Sequence, residues 1–344
     1  MRASSPHKFL ILAAGVATVC TLCLAMTAGY LEPFRTAVVL ANDKMTEHVR
    51  MAAADLVPPG ALAATPPSDT PSASPEHVLA APSDGRMMTL SFDDEFTDPE
   101  HSFGRNALWT PSFGSGRDPL NAHSNTANGE KEIYVDPGFA GSSGVPLGLN
   151  PFRFHDGLLT ITADHTPKFA VAALWGRPYT SGMLSTVNTW SQTYGYFEIR
   201  ARLPRGRGLW PAFWLLPADG SWPPELDVFE VLGHRPNLVF VSTHTRASGD
   251  HTFATQQITA PDSSTGFHRY GALWDAQGVK WFIDRRLVAT GPTPGDLNRP
   301  MYLVVNLAVG GYWPGDPDAA TRLPAHMDVD YVRAWRFSDT AKRP

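Results

Sequence analysis

The segment Pro223-Pro224-Glu225-Leu226-Asp227-Val228-Phe229-Glu230-Val231 sets three carboxylates inside a run of strand-forming residues. Acidic and apolar residues alternate from Glu225 to Asp227, the period of a strand with one buried face and one open face. Glu230 breaks that parity. In a regular strand it would point into the apolar layer, where an unpaired carboxylate is very costly. One extra residue bulged out at Val228-Phe229 restores the parity and brings all three acids to one side. The alternative reading of the three acids is a charged face of a solvated strand.

The bulk composition narrows the chemistry around that strand. The 344 residues carry a formal charge of −5 and show no basic stripe, which argues against nucleic acid as a partner. Charged residues are 18% of the chain, against 29 Gly, 31 Pro and 10 Trp, a mix that suits a turn-rich all-β domain with aromatic surface. Both cysteines, Cys20 and Cys23, fall in an N-terminal apolar run. The rest of the chain therefore offers no thiol for a disulfide, a nucleophile or a zinc-thiolate site. No Gly-rich phosphate loop lies between a strand and a helix, so no nucleotide cofactor is indicated.

Four segments follow from the pattern along the chain. In residues 1–31, Arg2 and Lys8 precede an uncharged apolar run over 9–31. That run is longer than the ~7–15-residue core of a cleaved signal peptide and reaches the ~20 residues of a spanning helix. It reads as an export signal kept as a membrane anchor, with its N-terminus in the cytoplasm. Cleavage near Cys23-Leu24-Ala25 is the alternative, and would release a secreted protein instead. Residues 32–86 read as a tether, rich in Pro, Ser and Ala from Val57 onward. Residues 87–338 are the expected folded domain and 339–344 a tail. The anchored domain would face the periplasm or the exterior, and a monomer is expected.

Across the folded domain, short β-type runs recur between clusters of Gly, Pro, Asn and Asp, among them 158–162, 194–203, 209–216, 238–245, 270–274, 301–308 and 327–336. No long amphipathic helix interrupts them. The spacing predicts an all-β, two-sheet antiparallel sandwich. In 194–204, Phe197, Ile199, Ala201 and Leu203 share one face, and Tyr196, Glu198, Arg200 and Arg202 the other. The polar face is either solvent-facing or the floor of a polar cleft. In 208–216, Trp210 and Trp214 fall on one side, as core or as a ligand platform.

Together these runs resemble glycoside hydrolase family 16, the laminarinase, lichenase and agarase group, over nearly all of residues 88–337. Phe92-Asp93-Asp94-Glu95-Phe96 is similar to the family's opening strand, and Asn128-Gly129-Glu130-Lys131-Glu132-Ile133-Tyr134 to its early substrate loop. Trp210-Pro211-Ala212-Phe213-Trp214 followed by Glu225-x-Asp227-x-x-Glu230 resembles its central strands. Val305-Asn306-Leu307-Ala308-Val309-Gly310-Gly311-Tyr312-Trp313 and Val329-Asp330-Tyr331-Val332-Arg333-Ala334-Trp335 resemble its closing strands.

The resemblance implies a concave jelly roll, concanavalin-like, whose cleft binds an extended β-linked glycan and cuts it internally with retention. By position, Glu225 matches the nucleophile, Asp227 the residue that orients and tunes it, and Glu230 the general acid/base. A retaining pair needs one ionised and one protonated carboxyl about 5–5.5 Å apart, and crowded acids supply that split of proton affinity.

For substrate binding the resemblance nominates Asn128, Arg200, Trp210, Trp214, His244 and Trp313. A structural histidine remains open for His244, and a salt bridge to Glu198 for Arg200. No cofactor is required. A structural calcium, carried by some members, would find Glu95 and Asp330 at matching positions.

The extra residue in the acid motif resembles the laminarinase and agarase branches. Trp222-Pro223-Pro224 and Val231-Leu232-Gly233 are similar to bacterial glycanases that trim exopolysaccharides such as succinoglycan. The expected activity is an endo-acting β-1,3- or mixed β-1,3-1,4-glucanase. An exopolysaccharide depolymerase, a transglycosylase and a non-catalytic glycan-binding jelly roll are the alternatives.

Overall fold

The computed structural model describes residues 78–80 (backbone only), 85–103, 106–114 and 117–338. The expected anchor over 9–31, most of the tether and the tail lie outside the described residues.

Among the described residues the strands run β1 (Val78–Ala80), β2 (Met87–Asp94), β3 (Glu132–Tyr134), β4 (Phe152–His155), β5 (Leu158–His165) and β6 (Tyr179–Ser181). They continue as β7 (Met183–Ser185), β8 (Gly195–Arg202), β9 (Leu209–Pro217), β10 (Glu225–Val231), β11 (Leu238–Thr245) and β12 (Thr252–Thr259). The last are β13 (His268–Trp274), β14 (Val279–Ile283), β15 (Arg286–Gly291), β16 (Met301–Val309) and β17 (Ala325–Phe337). Short helices α1 (Pro99–Phe103) and α2 (Pro119–Ala122) sit in the early loops. One boundary differs from expectation. β1 lies inside the stretch read as tether and pairs antiparallel with β2, so β structure begins before residue 87.

Two sheets form. One has six strands in the order β12-β11-β10-β9-β16-β7. The other has eleven, with a central path β15-β14-β13-β8-β17-β5-β6-β3, β2 pairing with β17 and β4 with β5. Pairing is antiparallel except between β3 and β6.

Strand alternation builds the core between the sheets. Leu226, Val228, Phe229 and Val231 of β10 and Leu303, Val305, Leu307 and Val309 of β16 point inward. From the opposing sheet, Phe197, Ile199 and Ala201 of β8 and Val329, Val332 and Ala334 of β17 meet them.

The same alternation decides the fate of Arg200. Its neighbours Ile199 and Ala201 are core, so Arg200 points to the outer face of the eleven-stranded sheet, away from the carboxylates of β10. There its Nη1 donates to Asp330 Oδ2 at 2.7 Å, both side chains being 2% exposed. Arg200 is therefore corrected from substrate ligand to structural ion-pair partner. Its acid is Asp330 on the adjacent strand and not Glu198, which binds Arg285 instead.

Candidate active site

The register around β10 shows the bulge directly. Against β11, Glu225 pairs with His244, Asp227 with Ser242 and Glu230 with Phe240, so three steps on β10 span two on its neighbour. Against β9, Asp227 pairs with Trp214 and Phe229 with Phe213, which leaves Val228 as the extra residue. Val228 and Phe229 both enter the core, and Phe229 packs on Tyr270 with ring centroids 4.5 Å apart. A regular strand cannot bury two consecutive side chains on one side. The bulge does so, and it turns Glu230 outward beside Glu225 and Asp227. Across the sandwich, the indole of Trp281 on β14 donates to the Asp227 carbonyl at 2.8 Å, tying the bulge to the opposite sheet.

Hydrogen-bond donors surround the three acids. Trp210 Nε1 donates to Glu230 Oε1 at 3.0 Å, and Trp222 Nε1 to Glu225 Oε2 at 2.7 Å. His244 Nε2 lies 3.6 Å from Glu225 Oε1 and 3.4 Å from Asp227 Oδ2. Asp227 is 1% exposed and Glu230 9%.

Burial dominates the electrostatics. It pushes Glu225 up to about 8, with the Asp227 charge adding to the rise while His244 and the Trp222 N–H oppose it. Glu230 is raised well above the usual carboxylate range, by burial first and then by Asp227 and Glu225. Burial works the other way on His244, but Glu225, Asp227 and Glu230 override it and hold the imidazole up to about 10. One imidazolium thus faces three crowded acids at neutral pH, and at least one carboxyl keeps its proton. The cluster can both donate a proton and present a carboxylate to an electrophile.

Glu225, Asp227 and His244 bring ligand-type atoms within 4.8 Å of one another. His244 Nε2 faces both carboxylates, 3.6 Å from Glu225 Oε1 and 3.4 Å from Asp227 Oδ2, so the three are arranged as an ion cluster. Glu95 accepts from Arg333 Nε and Nη2 at 2.7 and 2.9 Å, and Asp330 is bound by Arg200. Both expected calcium ligands are thus neutralised by guanidinium groups, and the pair as arranged does not suit a cation.

The neighbouring wall comes from β9, β16 and two loops. Trp214, half-buried on the acid side of β9, donates Nε1 to Asn306 Oδ1 at 2.7 Å. Asn306 Nδ2 donates to the Tyr134 hydroxyl at 2.9 Å, and that hydroxyl to Glu130 Oε2 at 3.4 Å. Asn128 joins the same network, its side-chain Nδ2 donating to Glu130 Oε1 at 3.2 Å and its backbone carbonyl accepting from the Tyr312 N–H. Trp313 is half-buried against Trp210 and Phe240, with centroids 5.2 and 4.8 Å away, so it buttresses the indole that binds Glu230.

Of the residues expected from sequence, Glu225, Asp227, Glu230, His244, Trp210 and Trp214 share the outer face of the six-stranded sheet. Asn128 and Trp313 flank it from loops, and Arg200 lies elsewhere. His244 turns Nε2 to the acids. Trp222, Trp281, Asn306 and His251, which meets His244 Nδ1, were not anticipated as site residues. Trp222 stood just ahead of Glu225 and Asn306 inside the closing-strand motif, whereas Trp281 and His251 carried no sequence signal.

The sequence model described as Glycosyl hydrolases family 16 matches residues 149–333. Two endo-1,3-1,4-beta-glycanases of Rhizobium meliloti, ExsH and EglC, are 39% and 41% identical over 259 and 252 residues. Those matches cover 75% and 73% of this chain but 54% and 52% of the relatives, so the chain spans about half their length. Among solved structures, the endo-beta-1,3-glucanase from Pyrococcus furiosus superimposes with a TM-score of 0.61 at 29% identity, over 76% of this chain and 99% of that one. With the bulged acid strand inside the matched region, the chain belongs to glycosyl hydrolases family 16.

Proposed function

We propose that this protein is a retaining endo-β-glycanase that hydrolyses β-1,3 or mixed β-1,3-1,4 glucan by double displacement. The observation that carries the reading is the bulge at Val228, which gathers Glu225, Asp227 and Glu230 on one face. Burial and the Asp227 charge raise both glutamates, and on each His244 and an indole N–H oppose the rise, Trp222 on Glu225 and Trp210 on Glu230. Glu225 attacks the anomeric carbon as Glu230 passes its proton to the departing glycosidic oxygen. Glu230, now ionised, takes a proton from water, whose oxygen displaces Glu225 and restores the original configuration. Asp227, between the two, sets the charge that Glu225 feels. Half-buried Trp214 and Trp313 offer aromatic surface to pyranose rings, and Asn128 a hydrogen-bonding amide.

The substrate class is supported by relatives named for 1,3-1,4-β-glycan cleavage and by a structural neighbour named for β-1,3-glucan cleavage. We also read the N-terminal segment as engaging the membrane, with the domain exported as a monomer, or secreted if that segment is removed. Reducing-end release from laminarin, lichenan, agarose and a native exopolysaccharide tests the assignment. Release from laminarin or lichenan is expected. Release from the exopolysaccharide alone would make the protein a depolymerase, and binding without release a glycan-binding domain.

A further inference from the structure

We propose that His251, in the connection between β11 and β12, is a positioning residue that holds His244 as a doubly protonated, carboxylate-facing imidazolium by accepting its Nδ1 hydrogen bond. The role of the acids rests on the proposed function, but the protonation pattern does not.

The argument starts from His244 Nε2. Lying 3.4 and 3.6 Å from two carboxylates, it must carry a proton toward them. Among the described residues, the titratable groups facing His244 include Glu225, Asp227 and Glu230 from β10 and His251 from the hairpin loop. An ionised carboxylate beside Nε2 favours a full positive charge on the ring, which places a second proton on Nδ1. That proton needs an acceptor. Phe253 stacks on the imidazole, with centroids 5.6 Å apart and planes at 21°, so partners approach at its edge. At that edge His251 Nε2 lies 3.1 Å from Nδ1. A proton on both nitrogens would set two donors against each other, so His251 must present the Nε2 lone pair and carry its own proton on Nδ1.

His251 also touches the second group that steadies Glu225. Its ring lies 4.8 Å from that of Trp222, whose N–H binds Glu225 Oε2. Both donors that favour an ionised Glu225 thus lean on one residue from a hairpin loop. A residue serving stability alone would not fix the charge of its neighbour.

Long-range proton–nitrogen NMR correlations of the histidine rings, recorded on the full chain at pH 7, test the proposal. His244 is expected to carry protons on both nitrogens, and His251 to have a bare Nε2. A neutral His244, or a proton on His251 Nε2, overturns it. In H251F, which keeps a ring against Trp222 but removes the acceptor, His244 is expected to lose its second proton at least about one pH unit lower. Activity on glucan at pH 9 then falls more than activity at pH 6. H251Q, with an amide oxygen able to accept, returns both readings toward wild type. A folded H251F with an unchanged His244 titration overturns the proposal. Should H251F fail to fold, the wild-type tautomer decides. A wild-type protein that cleaves no glycan sinks the proposed function and leaves the tautomer readable.

Discussion

The two sheets bury acids on their outer faces in opposite ways. On the eleven-stranded sheet, Glu198 is fully buried and receives two guanidinium bonds from Arg285, at 3.1 and 3.0 Å, and the hydroxyls of Tyr196 and Tyr331. Asp330 is matched by Arg200, Asp328 by Arg202 and Glu95 by Arg333. On the six-stranded sheet, Glu225, Asp227 and Glu230 meet the His244 imidazole and the indole N–H groups of Trp222 and Trp210. A guanidinium is always charged, whereas an imidazole and two indoles leave protons to be shared. Matched charge builds structure. Crowded charge, met only in part, keeps groups that can titrate during a reaction.

Substitutions at the two faces sharpen that contrast. The largest effect belongs to the crowded face: Glu225→Gln is expected to lower kcat on the order of 10⁴-fold or more. Its melting temperature holds or rises, because a neutral amide replaces a carboxyl that burial disfavours. Azide rescue separates the two glutamates: Glu230→Ala gives a β-azide product and Glu225→Ala an α-azide product. The matched face behaves the other way. Arg285→Met leaves Glu198 buried without its cation and costs about 3 kcal/mol by denaturant unfolding, with kcat of the folded protein unchanged. Equal stability losses at both faces would erase the distinction.

Smaller effects appear in the pH dependence. Glu225 is raised from 4.5 to about 8 in the folded state, so its contribution to stability is present below pH 4.5 and lost as pH rises through about 8. The denaturation midpoint of Glu225→Gln should therefore gain on wild type between those values. His244 is raised from 6.5 to about 10, and its contribution is full below 6.5 and lost as pH rises through about 10. The smallest shift is expected from Trp210→Phe. Removing a donor that holds Glu230 down moves the alkaline limb of kcat/KM upward, by no more than about one unit. A downward move would contradict the hydrogen bond's role.

The bulge was legible in the sequence because a buried, unpaired Glu230 would be too costly, and parity left one place for the extra residue. The sandwich was legible because alternating runs repeat through the domain. Arg200 shows the limit. Alternation says which residues share a strand face, but not which sheet receives that strand, and β8 went to the sheet away from β10. Trp222 and His251 stand in connections, where no period links sequence to direction. Trp281 sits in the core and reaches Asp227 through its N–H alone, a contact that hydrophobic patterning cannot express. Nor did the Pro-rich tether signal that Val78–Ala80 would pair with β2.

The central claim is that Glu225 and Glu230 work on opposite sides of one anomeric carbon, and the product's first anomer tests it most directly. Proton NMR of a β-glucan oligosaccharide during its opening turnovers should show the β-anomer appearing first and mutarotating toward equilibrium. The α-anomer appearing first would mean direct attack by water, and would contradict Glu225 as a nucleophile.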